Sequence, residues 1–293
     1  MFNCRIETVC IHLLNKCNLE CAHCWAGSTP TGKLVLAPDA TIKFLNSLKT
    51  LGLRHISLSG GEPLLYPRLS YLIHWCTDND LLCTITSNGF DVHRISKLVE
   101  NINRITIPAT CKISIRISLD GNQSEHDNLR GGNSFRHAVE SIKLVRSQLN
   151  WIGVNSITWP GFYDSLHDVI RLINDLRVDD WALITETPKG SWNTSKFNIP
   201  DALARFKKSA SLITSMGYKN GLSMWDYLSF PHTGILLDAD GDVKLPAYNG
   251  LADIVVGNFR NADILTDLDK AVTKAASSGT PHFFSYEQGT PPI

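Results

Sequence analysis

Short β-rich runs and helix-like stretches alternate along the first two thirds of this chain, and that alternation constrains the fold more than any other feature. Residues 9–14 read as a first strand, and residues 38–51 follow with Ile42, Leu45 and Leu48 at helical spacing and Pro38 and Asp39 near the start. Strand-like runs recur at 55–58, 82–86, 112–119, 151–158 and 181–185. Helix-like stretches recur at about 67–77, 92–103, 134–149 and 164–176. Six such units in series predict a parallel sheet wrapped by outer helices. Crossovers of one hand curl such a sheet toward an open barrel.

The pattern changes after Pro200: a helix at 202–216, a hairpin at 235–245 turning at Asp240 and Gly241, a strand at 254–256 and a helix at 262–276. The tail from Ser277 is rich in Gly and Pro and reads as extended. The expected class is α/β, a partial (β/α)6 barrel over residues 1–220 with a small C-terminal α+β module over residues 221–293.

In such folds chemistry sits at the carboxyl ends of the strands. Polar punctuation falls there: a cysteine-rich loop, then Gly60, Gly61 and Glu62, then Ser87, Asn88 and Gly89, then Ser118, Asp120 and Gly121. All eight cysteines (4, 10, 17, 21, 24, 76, 83 and 111) lie in the first 111 residues. A secreted disulfide framework does not crowd one third of a chain this long, so a reducing compartment with metal chemistry fits better. With 28 basic and 28 acidic residues, bulk charge gives no case for nucleic acid or an anionic membrane. No apolar run approaches the ~20 residues of a membrane span, and the N-terminus lacks a signal-peptide layout. A cytoplasmic location, with no nucleic-acid or membrane partner, is the expectation.

Cys17, Cys21 and Cys24 have the spacing C-x3-C-x2-C. Three thiolates on one short loop can wrap an iron–sulfur cubane and leave one iron open for a ligand. A structural zinc site remains an alternative, with His23 or His12 as the fourth ligand. At this point the chain resembles the radical SAM superfamily, whose hallmark is this loop after the first strand of a partial barrel. The resemblance implies one [4Fe-4S] cluster on Cys17, Cys21 and Cys24, whose open iron chelates S-adenosylmethionine (SAM). Reductive cleavage then gives a 5′-deoxyadenosyl radical, fed by an electron donor such as flavodoxin or ferredoxin. The family often has an aromatic residue before the third cysteine, and His23 stands there, with Trp25 after the motif.

Gly60-Gly61-Glu62-Pro63 matches the family's GGEP element; its carboxylate or a backbone carbonyl would accept from the SAM ammonium. On that expectation, replacing Glu62 weakens SAM binding and spares the cluster. The resemblance places Ser87, Asn88, Ser118 and Asp120 near the ribose and carboxylate of SAM, although each also reads as a turn residue. Arg130 is either a partner for the SAM carboxylate or half of a surface salt bridge. Glu186, Trp192, Trp25, Asp226 and Tyr227 are candidates for the barrel mouth, with Glu186 the catalytic one.

The C-terminal stretch resembles a SPASM or twitch module whose cysteines are missing. Pro231 to Gly234, Asp240-Gly241, Leu245 to Tyr248 and Gly257-Asn258 keep the frame, and no cysteine follows Cys111. An auxiliary cluster is not expected there. Asp238, Asp240 and Asp242 read as a turn rather than a calcium loop. Without an auxiliary electron acceptor, redox-neutral tailoring such as epimerisation or rearrangement is expected. Cys83 or Cys111 would be the hydrogen donor, against their alternative as buried structural thiols. About 8 residues precede the first strand, which leaves no room for a leader-binding domain. That favours a small natural-product-type substrate such as a sugar, aminoglycoside, nucleoside or amino acid. Maturation of a ribosomally made peptide is the alternative. A non-enzymatic iron–sulfur or zinc protein is a second alternative.

Overall fold

Seven strands, β1 (Thr8–His12), β2 (His55–Ser59), β3 (Leu82–Ser87), β4 (Ile113–Ser118), β5 (Gly153–Ile157), β6 (Asp180–Ile184) and β7 (Gly221–Trp225), lie side by side in chain order, each parallel to the next. The computed structural model describes residues 5–107, 111–191, 197–218, 220–227, 234–247 and 253–277. β8 (Ile235–Leu237) adds in parallel to the outer side of β1, and β9 (Asp242–Leu245) and β10 (Ile254–Asn258) continue antiparallel. The ten-stranded sheet thus runs β10-β9-β8-β1-β2-β3-β4-β5-β6-β7.

The connecting helices form where apolar spacing and end chemistry agree. In α1 (Pro38–Lys49), Pro38 occupies the first turn, and Thr41, Phe44, Leu45 and Leu48 make one buried stripe. Then come α2 (Leu69–Asp78) and α3 (Val92–Arg104). In α3 the Asp91 carboxylate caps the Arg94 N–H at 3.0 Å, and Ile95, Leu98, Val99 and Ile102 face the sheet. Further round lie α4 (Gln123–Arg130), α5 (Ser134–Gln148), α6 (Pro160–Asp164), α7 (Leu166–Asp175) and α8 (Ile199–Ser215), with α9 (Ile264–Ser277) last. Each fully buried Leu or Ile in this layer is worth ~1.5–3 kcal/mol. Among the described residues no helix is long and apolar enough to cross a membrane.

Three elements escape the sequence reading, strand β7 and helices α4 and α6. The sheet also runs unbroken through both stretches that the composition separates, with β7 on one edge and the β8–β10 meander beyond the other. The expected hairpin is present: Gly241 N–H donates to the Asp238 carbonyl at 2.9 Å. Lys244 lies 2.6 Å from Asp238 and 3.8 Å from Asp240, so a cation already serves the acidic turn. Trp192, Pro231, Tyr248 and the tail from residue 278 lie outside the described residues.

Strand faces divide cleanly. Val9 and Ile11 are fully buried against the helices, as are Ile56, Ile85, Ile115 and Ile117. Their neighbours Cys10, Ser57, Thr84 and Thr86 keep some accessibility in the middle of the sheet, on the face opposite the helices.

Candidate active site

The loop after β1 carries Cys17, Cys21 and Cys24, and its start is clamped to the end of β2. Gly61 N–H donates to the Leu14 carbonyl at 2.7 Å, and Glu62 N–H to the Lys16 carbonyl at 2.9 Å. A Cβ on Gly61 would fall 1.9 Å from the Lys16 carbonyl oxygen. What the glycine approaches closely is therefore the cysteine loop itself. Within the loop, Cys24 N–H donates to the Cys21 carbonyl at 3.1 Å and Cys17 N–H to Thr29 at 3.0 Å. The far rim joins in: Ser191 N–H donates to the Cys24 carbonyl at 2.8 Å, and Ala22 N–H to Leu129 of α4 at 3.0 Å.

Donors are aimed at the sulfurs. Leu19 N–H meets Cys17 Sγ at 3.4 Å, Ser28 N–H meets Cys24 Sγ at 3.4 Å, and Asn88 Nδ2 meets Cys17 Sγ at 3.6 Å. Burial pushes the Cys17 thiol up to about 11, with the Leu19 N–H opposing it and Glu62, Cys21 and Cys24 adding to it. Burial also raises Cys21, while the Arg130 guanidinium pulls it back. Three thiols this close resist ionising together, so a cationic centre is what would make them thiolates. No three His, Cys, Asp or Glu side chains among the described residues converge tightly enough for a single ion. Zinc bound at ~2.3 Å needs sulfurs within ~4 Å of one another. Three thiols on one loop with N–H donors aimed at their sulfurs fit a cubane, and the buried Ser28 hydroxyl, without a partner among the described residues, lies in the same loop.

Glu62 is 1% exposed, and its carboxylate is engaged on both oxygens. Oε1 accepts from Leu64 N–H at 3.1 Å and the Ser87 hydroxyl at 2.9 Å, and Oε2 from Asn88 N–H at 2.9 Å. Burial raises it to about 7 against these donors, the Asn88 N–H first among them. The carboxylate joins the ends of β2 and β3. With three protein donors already on it, the carboxylate acts here as a brace between the two strand ends. Asn88 then links onward to Asn18 Oδ1 at 2.8 Å and to Cys17.

Ser118 closes β4, and Asp120 and Arg130 meet each other. Arg130 Nε lies 2.5 Å from Asp120 Oδ2, both buried, which removes the surface salt bridge as a description. Asp120 Oδ1 accepts from Ile157 N–H at 2.7 Å, and Asp120 N–H donates to His126 Nδ1 at 3.0 Å. His23 Nε2 lies 3.5 Å from Asp120 Oδ2. Burial alone would raise Asp120, but Arg130, His23 and His126 hold it below the usual carboxylate range.

Other residues named from sequence fall elsewhere. Cys83 is fully buried on the helix-facing side of β3 against Cys76 of α2, and the Cys111 thiol donates to the Leu81 carbonyl at 2.9 Å. Both sit at the amino ends of β3 and β4, away from the mouth, so neither is placed to donate hydrogen to a substrate there. Glu186 is paired with Arg205 of α8 at 2.5 Å, which draws its carboxylate toward the helix layer. Trp25 packs against His12 at 4.7 Å between ring centres, with the Lys189 ammonium 5.5 Å from its ring centre. Tyr227 N–H donates to the Thr185 hydroxyl at 2.9 Å. Sequence reasoning missed Arg116, which sits in the barrel bonded to Asn155 Oδ1 and Asp180 Oδ2, both at 2.5 Å, with Ser223 on Asp180. The signal was there: a lone arginine inside the run Ile-Ser-Ile-Arg-Ile-Ser.

The family model described as "Radical SAM superfamily" matches residues 11–176. The chain belongs to the radical SAM superfamily. As a radical SAM enzyme it uses a [4Fe-4S] cluster and SAM. Among curated relatives it is similar to an AdoMet-dependent heme synthase of Methanosarcina barkeri, 30% identical over 44% of this chain and 36% of the relative. It is similar to an S-adenosylmethionine-dependent nucleotide dehydratase of a Fibrobacter species, 23% identical over 66% and 61%. It is also similar to the subtilosin biosynthesis protein AlbA of Bacillus subtilis, 26% identical over 56% and 36%. The chain thus spans between 36% and 61% of the length of these relatives. Among solved structures, Streptococcus suis SuiB bound to its precursor peptide SuiA superposes with a TM-score of 0.72, over 90% of this chain and 65% of that one, at 15% identity. The enzyme anSMEcpe with bound AdoMet gives 0.64 over 89% and 79%, at 16% identity.

Proposed function

We propose that this radical SAM enzyme modifies a ribosomally made peptide. The observation that carries the reading is the recurrence of peptide-maturation proteins among its curated relatives. AlbA is joined by SkfB of Bacillus subtilis and MftC of Mycobacterium tuberculosis, each 28% identical over 46% and 43% of this chain. When bound, the cluster and SAM supply a 5′-deoxyadenosyl radical that takes a hydrogen atom from carbon. The chain's residues do the rest. Cys17, Cys21 and Cys24 hold the cluster, and Leu19, Ser28 and Asn88 donate to their sulfurs. Backbone at Gly60 and Gly61, with Ser118 and the buried Arg130–Asp120 pair, borders the SAM position, while Glu62, Ser87 and Asn88 hold its frame. In this reading residues 1–220, with strand β7 paired onto β6, are the catalytic barrel, and the stretch beyond β7 to residue 293 is a cysteine-free relative of the SPASM/twitch module. A flavodoxin- or ferredoxin-type protein supplies the electron.

The test is anaerobic reconstitution with iron and sulfide, then dithionite, SAM and a panel of short synthetic precursor-type peptides. Formation of 5′-deoxyadenosine with a change in peptide mass or in residue chirality is expected, and the Cys17→Ala, Cys21→Ala, Cys24→Ala triple variant should give neither. Unchanged peptides alongside turnover of a nucleoside triphosphate or a tetrapyrrole would overturn the peptide reading and leave the radical SAM assignment standing.

A further inference from the structure

The strand that feeds the cysteine loop ends in a histidine with no role so far. His12 closes β1, five residues before Cys17. Its orientation follows from the strand. Val9 and Ile11 face the helices, fully buried. Cys10 lies on the opposite face and acts electrostatically on Tyr227, which follows β7 at the other side of the barrel. That face is the interior, and His12 shares it.

The ring is held from one side. β1 and β8 run in parallel register, Val9 with Ile235, Cys10 with Leu236 and Ile11 with Leu237. His12 and Asp238 are the next residues on the two chains, and His12 Nδ1 lies 3.1 Å from Asp238 Oδ1. Asp238 also accepts from the Lys244 ammonium at 2.6 Å and from Ala239 N–H at 2.8 Å. Burial works to raise its carboxyl, but the bonds from His12 and Lys244 outweigh it and keep the group ionised. An ionised carboxylate only accepts, so the Nδ1 that faces it carries a proton, and in the neutral tautomer with that proton Nε2 presents a bare lone pair. Trp25 of the cysteine loop packs edge-on against the ring at 4.7 Å. His12 is 3% exposed, and its Nε2 has no partner among the described residues. A buried acceptor without a partner is costly, and native structures keep such atoms for ligands or water.

We propose that His12 is a catalytic residue: its Nε2 accepts a hydrogen bond from a substrate hydroxyl, ammonium or amide N–H, and takes that proton when the neighbouring carbon reacts. The step is a proton transfer. The substrate O–H or N–H bond breaks, an Nε2–H bond forms, both electrons of the broken bond stay with the substrate, and the Asp238 carboxylate balances the imidazolium charge. The ligand is the substrate rather than SAM, because the residues around the SAM position come from the ends of β2 to β4 whereas His12 and Asp238 belong to β1 and β8. The identity of that substrate rests on the peptide reading; the presented acceptor does not.

The test uses the reconstituted full chain, with one cluster, as wild type and as His12→Gln. Long-range 15N NMR of histidine-labelled protein, without substrate, should assign wild-type His12 as neutral with the proton on Nδ1. A proton on Nε2 would remove the acceptor and overturn the proposal. In His12→Gln, iron content and substrate-free 5′-deoxyadenosine formation should stay within about 2-fold of wild type, while modified product falls ~10²-fold or more, the usual range for losing a general base. Full product formation by the variant overturns the proposal. So does loss of iron or a raised KM for SAM, which would make His12 a loop support or a SAM contact. If wild type modifies no peptide, the peptide reading falls, and the NMR assignment decides His12 by itself.

Discussion

A buried carboxylate that accepts three hydrogen bonds has little left to offer a ligand, and Glu62 is such a group. Glu62→Ala would strand the Ser87 hydroxyl and two backbone N–H groups, at ~1–3 kcal/mol for each donor left unpaired. The Asn88 amide that reaches Cys17 depends on the same corner. The expected result is a chemical-denaturation loss of ~3 kcal/mol or more, together with fewer irons per chain after reconstitution. The sequence alone pointed to weakened SAM binding with the cluster spared. Full iron content with only SAM affinity lost would restore that view. The motif Gly60-Gly61-Glu62-Pro63 was legible because its spacing from the cysteines is fixed by the fold. Where its side chain turns is a matter of tertiary hydrogen bonds, which spacing does not encode. Asn88 makes a smaller case: Asn88→Ala removes one donor from Cys17 Sγ, and hydrogen bonds to cluster ligands raise the reduction potential. A more negative midpoint in an EPR-monitored titration is expected, with iron content unchanged.

Elements were legible in proportion to how far local pattern decides them. The strands with one apolar face and the helices with long buried stripes, α3 above all, announce themselves. Strand β7 does not: Gly-Leu-Ser-Met-Trp sits at the sheet edge with Met224 49% exposed, and only pairing with β6 makes it a strand. Helix α4 is nearly all polar and hides His126 and Arg130, so its buried face is an ionic network instead of an apolar stripe. Its ends are set locally, by Asn122 capping Glu125 N–H at 3.1 Å and Gly131 at φ 110°. The contact between the β6 loop and the cysteine loop was equally silent. Gly190 has φ 68°, and a Cβ there would lie 2.0 Å from the Cys24 carbonyl oxygen. Backbone on both sides cannot yield to that clash cheaply. Gly190→Ala should displace the third cysteine, cost more than ~2 kcal/mol and reduce retained iron well below the wild-type level. Unaltered iron and stability would mean that the two rims are not in contact in solution.

Over the whole molecule, buried ionisable groups pull the pH dependence of stability in two directions. Burial holds His126 and His55 at about 4 and His23 at about 3, with nearby arginines adding to the effect. The unfolded chain binds those protons near pH 6.5. Each histidine therefore contributes stability that is present above that value and is lost as pH falls toward 4. Asp120 and Asp238 act in the same sense at lower pH, since both are held below their ordinary range. Glu62 works the other way. Its folded value of about 7 lies above the unfolded one, so its stabilising effect is full in acid and lost as pH rises through 7. Between about pH 7.5 and about pH 5.5 the contest is three histidines, His23, His55 and His126, against one glutamate. The histidines should win, so that the urea midpoint falls on acidification. In His55→Gln that fall should shrink, because one of the three opposing histidines is gone. In Glu62→Gln it should grow, because a group favouring acid has been removed. A wild-type midpoint that rises as the pH drops would mean that Glu62 outweighs the histidines and that the polar interior of the barrel is wetter than its burial implies.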